Sequence, residues 1–416
     1  MEFQKIKLHR SEKNRAAVTQ ITLDDDYNVP DYRQDIVKVI KERGELRFDE
    51  VKAMEGAAWI KGSLVFKVLY RSDKQEGKIS CLRGEIPFQE RLNMDGLSEY
   101  DAVHATGDME DLTIGVINSR KLNVRAVIVL TASSEKEVDE ELTCELSDGS
   151  SYEQNIVEKE ALKLLVVRRD ICRQKSEAVL PSSKPNIREI LWQSMQLRNV
   201  ESRLVEGKIR LSGEILVSIL YNDEEEGEHL SWYETTVPLD AQAECGVMED
   251  DCIWQVQMVP LTMELEVKPD YDGEERILVM ELALDTHIRI WKEEKIRLLT
   301  DLYSLQKEVK PVFRECPLER LLVKNAAKCR MTEQMELKED KEKVLQICSC
   351  EGKVLLERQE IKPDGVLAEG TVEVNILYIT PDDHMPVGAV QEIYPFSQLV
   401  EIPEMSAQAS SHSLKL

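Results

Sequence analysis

Residues 62–70 read GSLVFKVLY, residues 213–221 read GEILVSILY, and residues 370–378 read GTVEVNILY. In each stretch a glycine opens a run in which apolar and polar residues largely alternate, and a Leu-Tyr pair closes it. Alternation with a period of two residues is typical of a half-buried β-strand. A glycine inside a strand indicates a bulge or the close approach of a neighbouring backbone. The sequence therefore predicts three copies of one central strand.

The sequence around these strands also repeats, without gaps. Pro30 and Pro181 each precede the glycine by 32 residues, and Lys338 holds the same position in the third copy. The repeat positions defined in this way are Pro30, Ile36, Gly62, Leu69, Tyr70, Pro181, Ile187, Gly213, Leu220, Tyr221, Val344, Gly370, Leu377 and Tyr378. The copies lie 151 and 157 residues apart, a spacing that belongs to whole domains. We expect three tandem homologous domains, at residues 1–140, 141–298 and 299–416.

Each copy is predicted to be mainly β, either sandwich-like or barrel-like, with one short helix near its start. The helix is expected over residues 31–43, because Ile36, Val39 and Ile40 have the i, i+3, i+4 spacing of an apolar helix face. A proline suits the first turn of such a helix. The first and second copies share a further alternating strand, which begins at Arg120 and at Arg276.

The third copy is expected to lack that last strand. The arginine follows the repeated tyrosine by 50 residues in the first copy and by 55 in the second, and the same spacing in the third leads beyond Leu416. A sheet without its closing strand would have an unpaired edge. The sequence therefore predicts that the third domain is incomplete at its C-terminus.

Composition narrows the classes of partner. The formal net charge is −25, which repels nucleic-acid phosphates and anionic lipid headgroups. Neither a basic, apolar leader nor a stretch of about 20 apolar residues is present, so we expect a cytosolic chain without membrane insertion. The nine scattered cysteines are typical of reduced thiols rather than of a disulfide framework.

No motif in the sequence predicts catalysis, a cofactor or a metal site. The positions common to the three copies are glycine, leucine, tyrosine and aliphatic residues, and none of the six histidines recurs between copies. Cys348 and Cys350 form a C-x-C pair, which could supply two zinc ligands, but Cys348 aligns with Ile40 and Leu191 and is better interpreted as a buried aliphatic substitute. The acidic runs near residues 24–26 and 223–228 lack calcium-loop spacing and are predicted to be solvated loop tips.

The repeat resembles the SPOCS domain of spore-forming Firmicutes. The residues that carry the resemblance are Val29, Pro30, Asp31, Tyr32, Asp35, Ile36, Ile40, Gly62, Leu69, Tyr70, Ile86, Pro87 and Phe88, with their counterparts in the other copies. The family implies tandem SPOCS units followed by a LysM domain, which is not visible here. It also implies a role in spore-coat assembly in the mother-cell cytoplasm, at the forespore surface, through binding of a SpoIVA-like coat ATPase.

Two function hypotheses from different classes follow. The first is a non-catalytic scaffold or adaptor that binds other coat morphogenetic proteins. The alternative is a cell-wall glycan-binding module, in which exposed faces of the five tryptophans would stack on sugar rings.

Overall fold

The structure is a computed structural model that describes residues 2–73, 78–147, 152–224, 229–249, 251–324, 328–337 and 343–402. Within these ranges the chain forms β-strands and no helix, so no helix there could cross a lipid bilayer. The strands are β1 (Phe3–Asn28), β2 (Ile36–Met54), β3 (Ala57–Ser72), β4 (Ile79–Asn93), β5 (Val103–Asn118), β6 (Lys121–Leu146), β7 (Glu153–Val179), β8 (Ile187–Val205), β9 (Lys208–Asp223), β10 (Leu230–Glu244), β11 (Cys252–Pro269), β12 (Glu275–Tyr303), β13 (Gln346–Lys362), β14 (Gly365–Ile379) and β15 (Val387–Glu401). The predicted mainly-β class is confirmed.

These strands form antiparallel sheets of three strands each. We call β2-β3-β4, β8-β9-β10 and β13-β14-β15 the first, second and third repeat sheets. We call β1-β6-β5 and β11-β12-β7 the first and second cover sheets. The strands singled out from the sequence, β3, β9 and β14, are the central strands of the repeat sheets. In each repeat sheet, the strand that carries the repeated glycine, leucine and tyrosine therefore pairs with both of the other strands.

Each of the first two repeats is a sandwich of a repeat sheet and a cover sheet. In the first, Leu64 and Phe66 of β3 pack in one cluster with alternate aliphatic residues of β6, from Leu122 to Leu130. In the second, the equivalent cluster joins β9 to alternate residues of β12, from Met280 to Ile290. Side chains on one face of a strand recur every second residue, so one alternating strand from each sheet suffices to fill the core.

The predicted helix over residues 31–43 is wrong, because this stretch is a turn followed by strand β2. The register between β2 and β3 shifts at Val37 and again at Ile40, where one extra residue is inserted into the strand. Each bulge moves the next apolar residue by one position. A strand with two bulges three residues apart thus imitates the i, i+3, i+4 spacing of a helix. The same shifts recur in β8.

An arginine at the start of the central strand of each cover sheet, Arg120 just before β6 and Arg276 within β12, binds the proline turn of the same repeat. Arg120 donates hydrogen bonds to the backbone oxygens of Val29, Pro30 and Arg33, at 2.7–3.0 Å. In the second repeat Arg276 donates to the oxygens of Leu180, Pro181 and Lys184. One guanidinium therefore ties the cover sheet to the start of the repeat sheet in both sandwiches.

The repeated glycines lie where a neighbouring strand bulges towards them. A Cβ atom on Gly62 would lie 2.4 Å from the backbone oxygen of Arg47, and one on Gly370 would lie 2.0 Å from that of Leu355. Any other residue would collide with backbone at these positions.

The described strands of the third repeat are those of the third repeat sheet alone, and the described residues between 304 and 345 contain no strand or helix. Lys338 lies outside the described residues, and the domain boundaries stay a prediction.

Candidate functional site at the junction of the three repeats

The three repeat sheets meet in one apolar cluster, which we call the hub. Leu69, Leu220 and Leu377, the leucines of the three Leu-Tyr pairs, are all fully buried in it. The hub consists of Ile40, Leu69, Ile79 and Cys81 from the first repeat, Leu191, Trp192, Leu220, Leu230 and Trp232 from the second, and Cys348, Leu377, Ile379, Val387 and Ala389 from the third. Nearly all of these residues occupy equivalent repeat positions, so the three sheets contribute the same surface to a shared centre.

A bulge turns the first strand of each repeat sheet towards the hub. The inserted residues are Ile40, Leu191 and Cys348, and each lies in the hub. Bulges re-aim side chains relative to the regular alternation of a strand. The strand can therefore fill the sandwich core with Ile36 or Ile187 and then direct a side chain out of the sandwich, towards the other repeats.

Three polar side chains follow these bulges at equivalent positions: Lys41, Trp192 and Ser349. Their relative exposures are 7%, 3% and 4%. The ammonium of Lys41, the indole N–H of Trp192 and the hydroxyl of Ser349 have no hydrogen-bond partner among the described residues. A buried polar group without a partner costs free energy, so each repeat carries one such cost at the same place.

Lys41 carries a charge at the edge of the apolar hub. Its Nζ atom lies 5.5 Å from the centre of the Trp192 ring, within the range of a cation–π contact. Burial lowers the pKa of Lys41 below its ordinary 10.5; the nearby Glu351 opposes this shift and Arg43 reinforces it. The first and second repeats are thus joined by a contact between a partly desolvated cation and an aromatic ring.

Polar contacts surround the hub and join each pair of repeats. Arg33 of the first repeat pairs with Glu189 of the second at 2.9 Å. The side-chain amide of Gln196 donates to the backbone oxygen of Cys350 in the third repeat, also at 2.9 Å. Arg43 of the first repeat and Glu351 of the third are 3.4 Å apart. An apolar centre inside a polar rim is the construction of a specific protein–protein interface.

We expect Lys41→Met to raise the free energy of unfolding, by about 1 kcal/mol or more, because it replaces an unpaired buried ammonium with an apolar side chain of similar length. Chemical denaturation at pH 7 measures the change. Lys38→Met, on an exposed position of the same strand, is the matched control and should change stability little. A clear loss of stability in Lys41→Met alone would contradict the assignment of a net cost to this charge.

The pKa of Lys41 also predicts a pH dependence. The folded-state pKa lies below the unfolded value of 10.5, so between these two values the unfolded chain binds more protons than the folded chain. The contribution of Lys41 to stability therefore increases as the pH rises towards 10.5. The stability of Lys41→Met should lack this increment, so the stability difference between wild type and variant should change over this pH range.

The repeated leucines are brought together, whereas the repeated tyrosines are kept apart. Tyr70, Tyr221 and Tyr378 are fully buried, on the opposite face of their strands from the leucines. The hydroxyl of Tyr70 donates to the backbone oxygen of Gln34 at 3.1 Å, and that of Tyr221 donates to the oxygen of Pro185 at 3.2 Å. The tyrosines thus stabilise each repeat from within.

The remaining repeat positions lie around the turn and the first strand. Ile36 and Ile187 are buried at the start of their strands, Pro30 is half-buried, and Pro181 and Val344 are exposed. These residues organise each repeat and do not meet the residues of another repeat in the hub.

The C-x-C thiols are in different environments. Cys348 lies in the hub, and burial raises the pKa of its thiol to about 12, whereas Cys350 is exposed. A thiol with so high a pKa stays protonated at neutral pH, and the protonated form neither binds zinc nor attacks an electrophile. Among the described residues, no group of three or more cysteine, histidine and carboxylate side chains is arranged to hold a metal ion.

A second, charged contact joins the first two repeats away from the hub. Arg169 of β7 forms a bidentate pair with Asp285 and donates to Nδ1 of His104 at 2.9 Å. Arg289 pairs with Glu135 of β6 at 2.6 Å. The rings of His104 and His287 have their centres 5.6 Å apart and their planes inclined at 46° to each other. Burial, and then the neighbouring arginines, lower the pKa of both histidines below 6.5.

We expect this histidine pair to weaken the protein in acid. Because the folded-state pKa of each histidine is lowered, the unfolded chain binds more protons below about pH 6.5, and stability falls as the pH falls through that range. Thermal unfolding between pH 7.5 and 5 should show a larger loss in the wild type than in a His104→Gln, His287→Gln variant. Equal losses in the two proteins would contradict this role.

The hub itself was not apparent from the sequence. Lys41, Trp192 and Ser349 differ in chemical type, so a search for shared residue identity passes over them. The available signal was positional, because each of the three follows an apolar residue that does repeat. What the three positions share is burial at one junction and not a functional group.

The repeated sheets, their common hub and the charged contact define a tandem-repeat β protein whose repeats pack against one another. The family model "SipL, SPOCS domain" matches residues 35–117, 186–268 and 343–412, which together make up more than half of the chain. The chain belongs to the SipL family of SPOCS-domain proteins, and the predicted resemblance is confirmed. No curated protein and no solved structure matches the chain.

Proposed function

We propose that this protein is a non-catalytic scaffold of spore-coat assembly. In this proposal it acts in the mother-cell cytoplasm, at the forespore surface, where it binds coat morphogenetic proteins such as a SpoIVA-like ATPase. The family assignment supports a role in sporulation. The scaffold role is supported by buried side chains that contact one another across the three repeats.

The observation that carries the proposal is the hub. Its buried residues come from three repeats and make contacts between repeats, so they fix the repeats relative to one another. The three repeat sheets are thereby held in one arrangement around a common centre. That arrangement suits a protein that holds several partners in a defined geometry.

The surface recesses give less support to a small-molecule function. The best-formed recesses within the described ranges have volumes of about 160 and 190 Å³. Small-molecule sites usually have volumes of about 300 Å³ or more.

No observation favours the glycan-binding alternative. All five tryptophans are buried or half-buried. Trp192 lies in the hub, Trp232 is covered by Lys184 at 4.6 Å from its ring centre, and Trp254 is covered by Lys324 at 4.3 Å. Stacking on sugars requires an exposed ring face.

A binding experiment tests the scaffold. Purified chain is immobilised and incubated with purified SpoIVA-like ATPase and, separately, with extract of sporulating cells, and captured coat proteins are identified by mass spectrometry. We expect capture of the ATPase or another coat morphogenetic protein. A fluorescent fusion should form a shell around the forespore. A diffuse signal together with no captured coat protein would overturn the proposal.

Two controls make the result specific. Trp192→Ala separates the repeats at the hub, and we expect it to reduce capture of partners that contact more than one repeat. Tyr303→Ala changes an exposed side chain outside the hub and should bind as the wild type does. Sedimentation with purified peptidoglycan tests the alternative, and binding there without any coat partner would favour a glycan-binding module.

A further inference from the structure

The three buried polar side chains at the hub lie on the same face of their sheets as the repeated leucines. We call them the donor triad, which consists of Lys41, Trp192 and Ser349. Each is the direct cross-strand partner of the leucine of its own Leu-Tyr pair: Lys41 of Leu69, Trp192 of Leu220 and Ser349 of Leu377. Directly paired residues of antiparallel strands project their side chains to one face. Because the three leucines meet in the hub, the donor triad is directed towards it as well.

Contacts beside the donor triad tie the three strands together in pairs. The first and second repeats are joined by the cation–π contact, in which the ammonium lies 5.5 Å from the ring centre. The second and third repeats are joined by the hydrogen bond from Gln196 to the oxygen of Cys350, at 2.9 Å. The first and third are joined by Arg43 and Glu351, at 3.4 Å. Each tie lies within four residues of the triad, so its members belong to one junction.

The donor triad brings hydrogen-bond donors to the hub and almost no acceptor. An ammonium and an indole N–H only donate, and a hydroxyl is able to donate. None of the three groups has a partner among the described residues, and all three polar atoms are shielded from solvent. A single acceptor atom bridges donors that are up to about 6 Å apart, since each hydrogen bond is about 3 Å long.

The nearest carboxylates are engaged elsewhere. Glu351 and Glu373 lie close enough to act on the charge of the triad ammonium. Glu351 pairs with Arg43, and Glu373 accepts hydrogen bonds from the side-chain amides of Asn375 and Gln391, at 2.7 and 2.8 Å. The triad therefore has the composition of a site for an acceptor that the described part of the chain does not itself supply.

We propose that the donor triad binds a chloride ion at the centre of the hub, with one hydrogen bond from each repeat. An anion turns three buried, unpartnered donors into charge-assisted hydrogen bonds and neutralises the buried ammonium. A water molecule matches the triad less well, because it must donate two hydrogen bonds and only the hydroxyl of Ser349 is able to accept one.

The site is suited to a monatomic ion. The polar atoms of the triad are shielded from solvent, and neither of the two best-formed recesses in the described ranges is lined by a triad residue. A halide fits a position enclosed by three packed sheets, whereas a bulky anion such as gluconate does not. Because the ligands come from three repeats, chloride should bind only the assembled chain and stabilise it by mass action.

This inference goes beyond the scaffold function and does not depend on the identity of a coat partner. It assigns to the chain an ion that fastens the three repeats to one another. The hub would then combine an apolar centre with one bound charge, and the stability of the assembled repeats would depend on the halide concentration.

The test is chemical denaturation of the full chain while chloride replaces gluconate at constant ionic strength. We expect the folding equilibrium constant of the wild type to rise about tenfold or more between zero and about 200 mM chloride. Lys41→Met should not respond, so its advantage in stability should be largest without chloride and should shrink as chloride rises. Lys38→Met, which removes an exposed lysine of the same strand, should respond as the wild type does.

Two further variants test the neutral donors. Trp192→Phe keeps an aromatic ring and removes the indole N–H, and Ser349→Ala removes the hydroxyl. Each should weaken the apparent chloride affinity about tenfold or more, the effect of losing one hydrogen bond to a charged group. If Trp192→Phe fails to fold, Ser349→Ala, which removes a single oxygen, still tests the site.

Crystals grown in bromide locate the ion, because bromide replaces chloride and scatters anomalously. We expect a peak within hydrogen-bond distance of the three triad donors in the wild type and none there in Lys41→Met. Bromide found solely on the surface, as an adventitious ion only, would overturn the proposal. So would a water molecule at the triad, or equal chloride responses in the wild type and Lys41→Met.

Discussion

Replacing Trp192 with alanine is expected to lower the free energy of unfolding by about 3–5 kcal/mol and to loosen all three repeats together. The indole is 3% exposed and packs among residues of the first, second and third repeats. Its removal opens a cavity where the three sheets meet and also removes the ring beneath the Lys41 ammonium. Chemical denaturation measures the loss.

Hydrogen exchange shows whether the loss is shared among the repeats. We expect faster exchange in β2, β8 and β13 of Trp192→Ala, because each of these strands contributes a bulged residue to the hub. Trp59→Ala is the matched control, since Trp59 is half-buried and lies outside the hub, and its effect should be smaller and confined to the first repeat. Faster exchange in the second repeat alone would contradict the role of the hub as a common centre.

The sequence was sufficient to predict the three central strands. Glycine, leucine and tyrosine recur there because each has the same surroundings in every copy: a neighbouring backbone crowds the glycine, the leucine lies in the hub, and the tyrosine is fully buried on the other face of the strand. Local constraints of this kind produce shared residue identity, and identity is what an internal alignment detects.

The helix predicted over residues 31–43 was wrong because the spacing of apolar residues there has a different cause. Bulges in β2 shift the apolar residues by one position each time, and the resulting spacing is that of a helix. The spacing of apolar residues alone cannot distinguish a strand with two bulges from a helix of one or two turns. The β-branched residues of this segment, Ile36, Val37, Val39 and Ile40, were the available sign of a strand.

The hub could not be predicted from any one repeat. Its composition is set by contacts between copies, in which a lysine from one repeat faces a tryptophan from the next. Contacts of this kind join unlike side chains at some equivalent positions, although the three leucines of the Leu-Tyr pairs remain identical. Lys41, Trp192 and Ser349 show this divergence at one position.

The tyrosine of each Leu-Tyr pair should be as costly to remove as the hub tryptophan, but its effect should stay within one repeat. We expect Tyr221→Ala to lower the free energy of unfolding by about 3–5 kcal/mol, because it empties a fully buried site between β9 and the turn before β8. Tyr221→Phe keeps the ring and should cost only about 1 kcal/mol, the value of the lost hydrogen bond to the oxygen of Pro185.

The pH dependence of these two variants separates the hydroxyl from the ring. Burial raises the pKa of Tyr221 to about 12, so between pH 10 and 12 the unfolded chain loses the phenolic proton while the folded chain retains it. The contribution of this group is present below pH 10 and is lost as the pH rises towards 12. Tyr221→Phe should lack that loss, so the stability difference between wild type and Tyr221→Phe should shrink in this range. A constant difference across it would show that Tyr221 is not held in its protonated form by the fold, and would remove the hydroxyl from the interactions that fix the turn of the repeat.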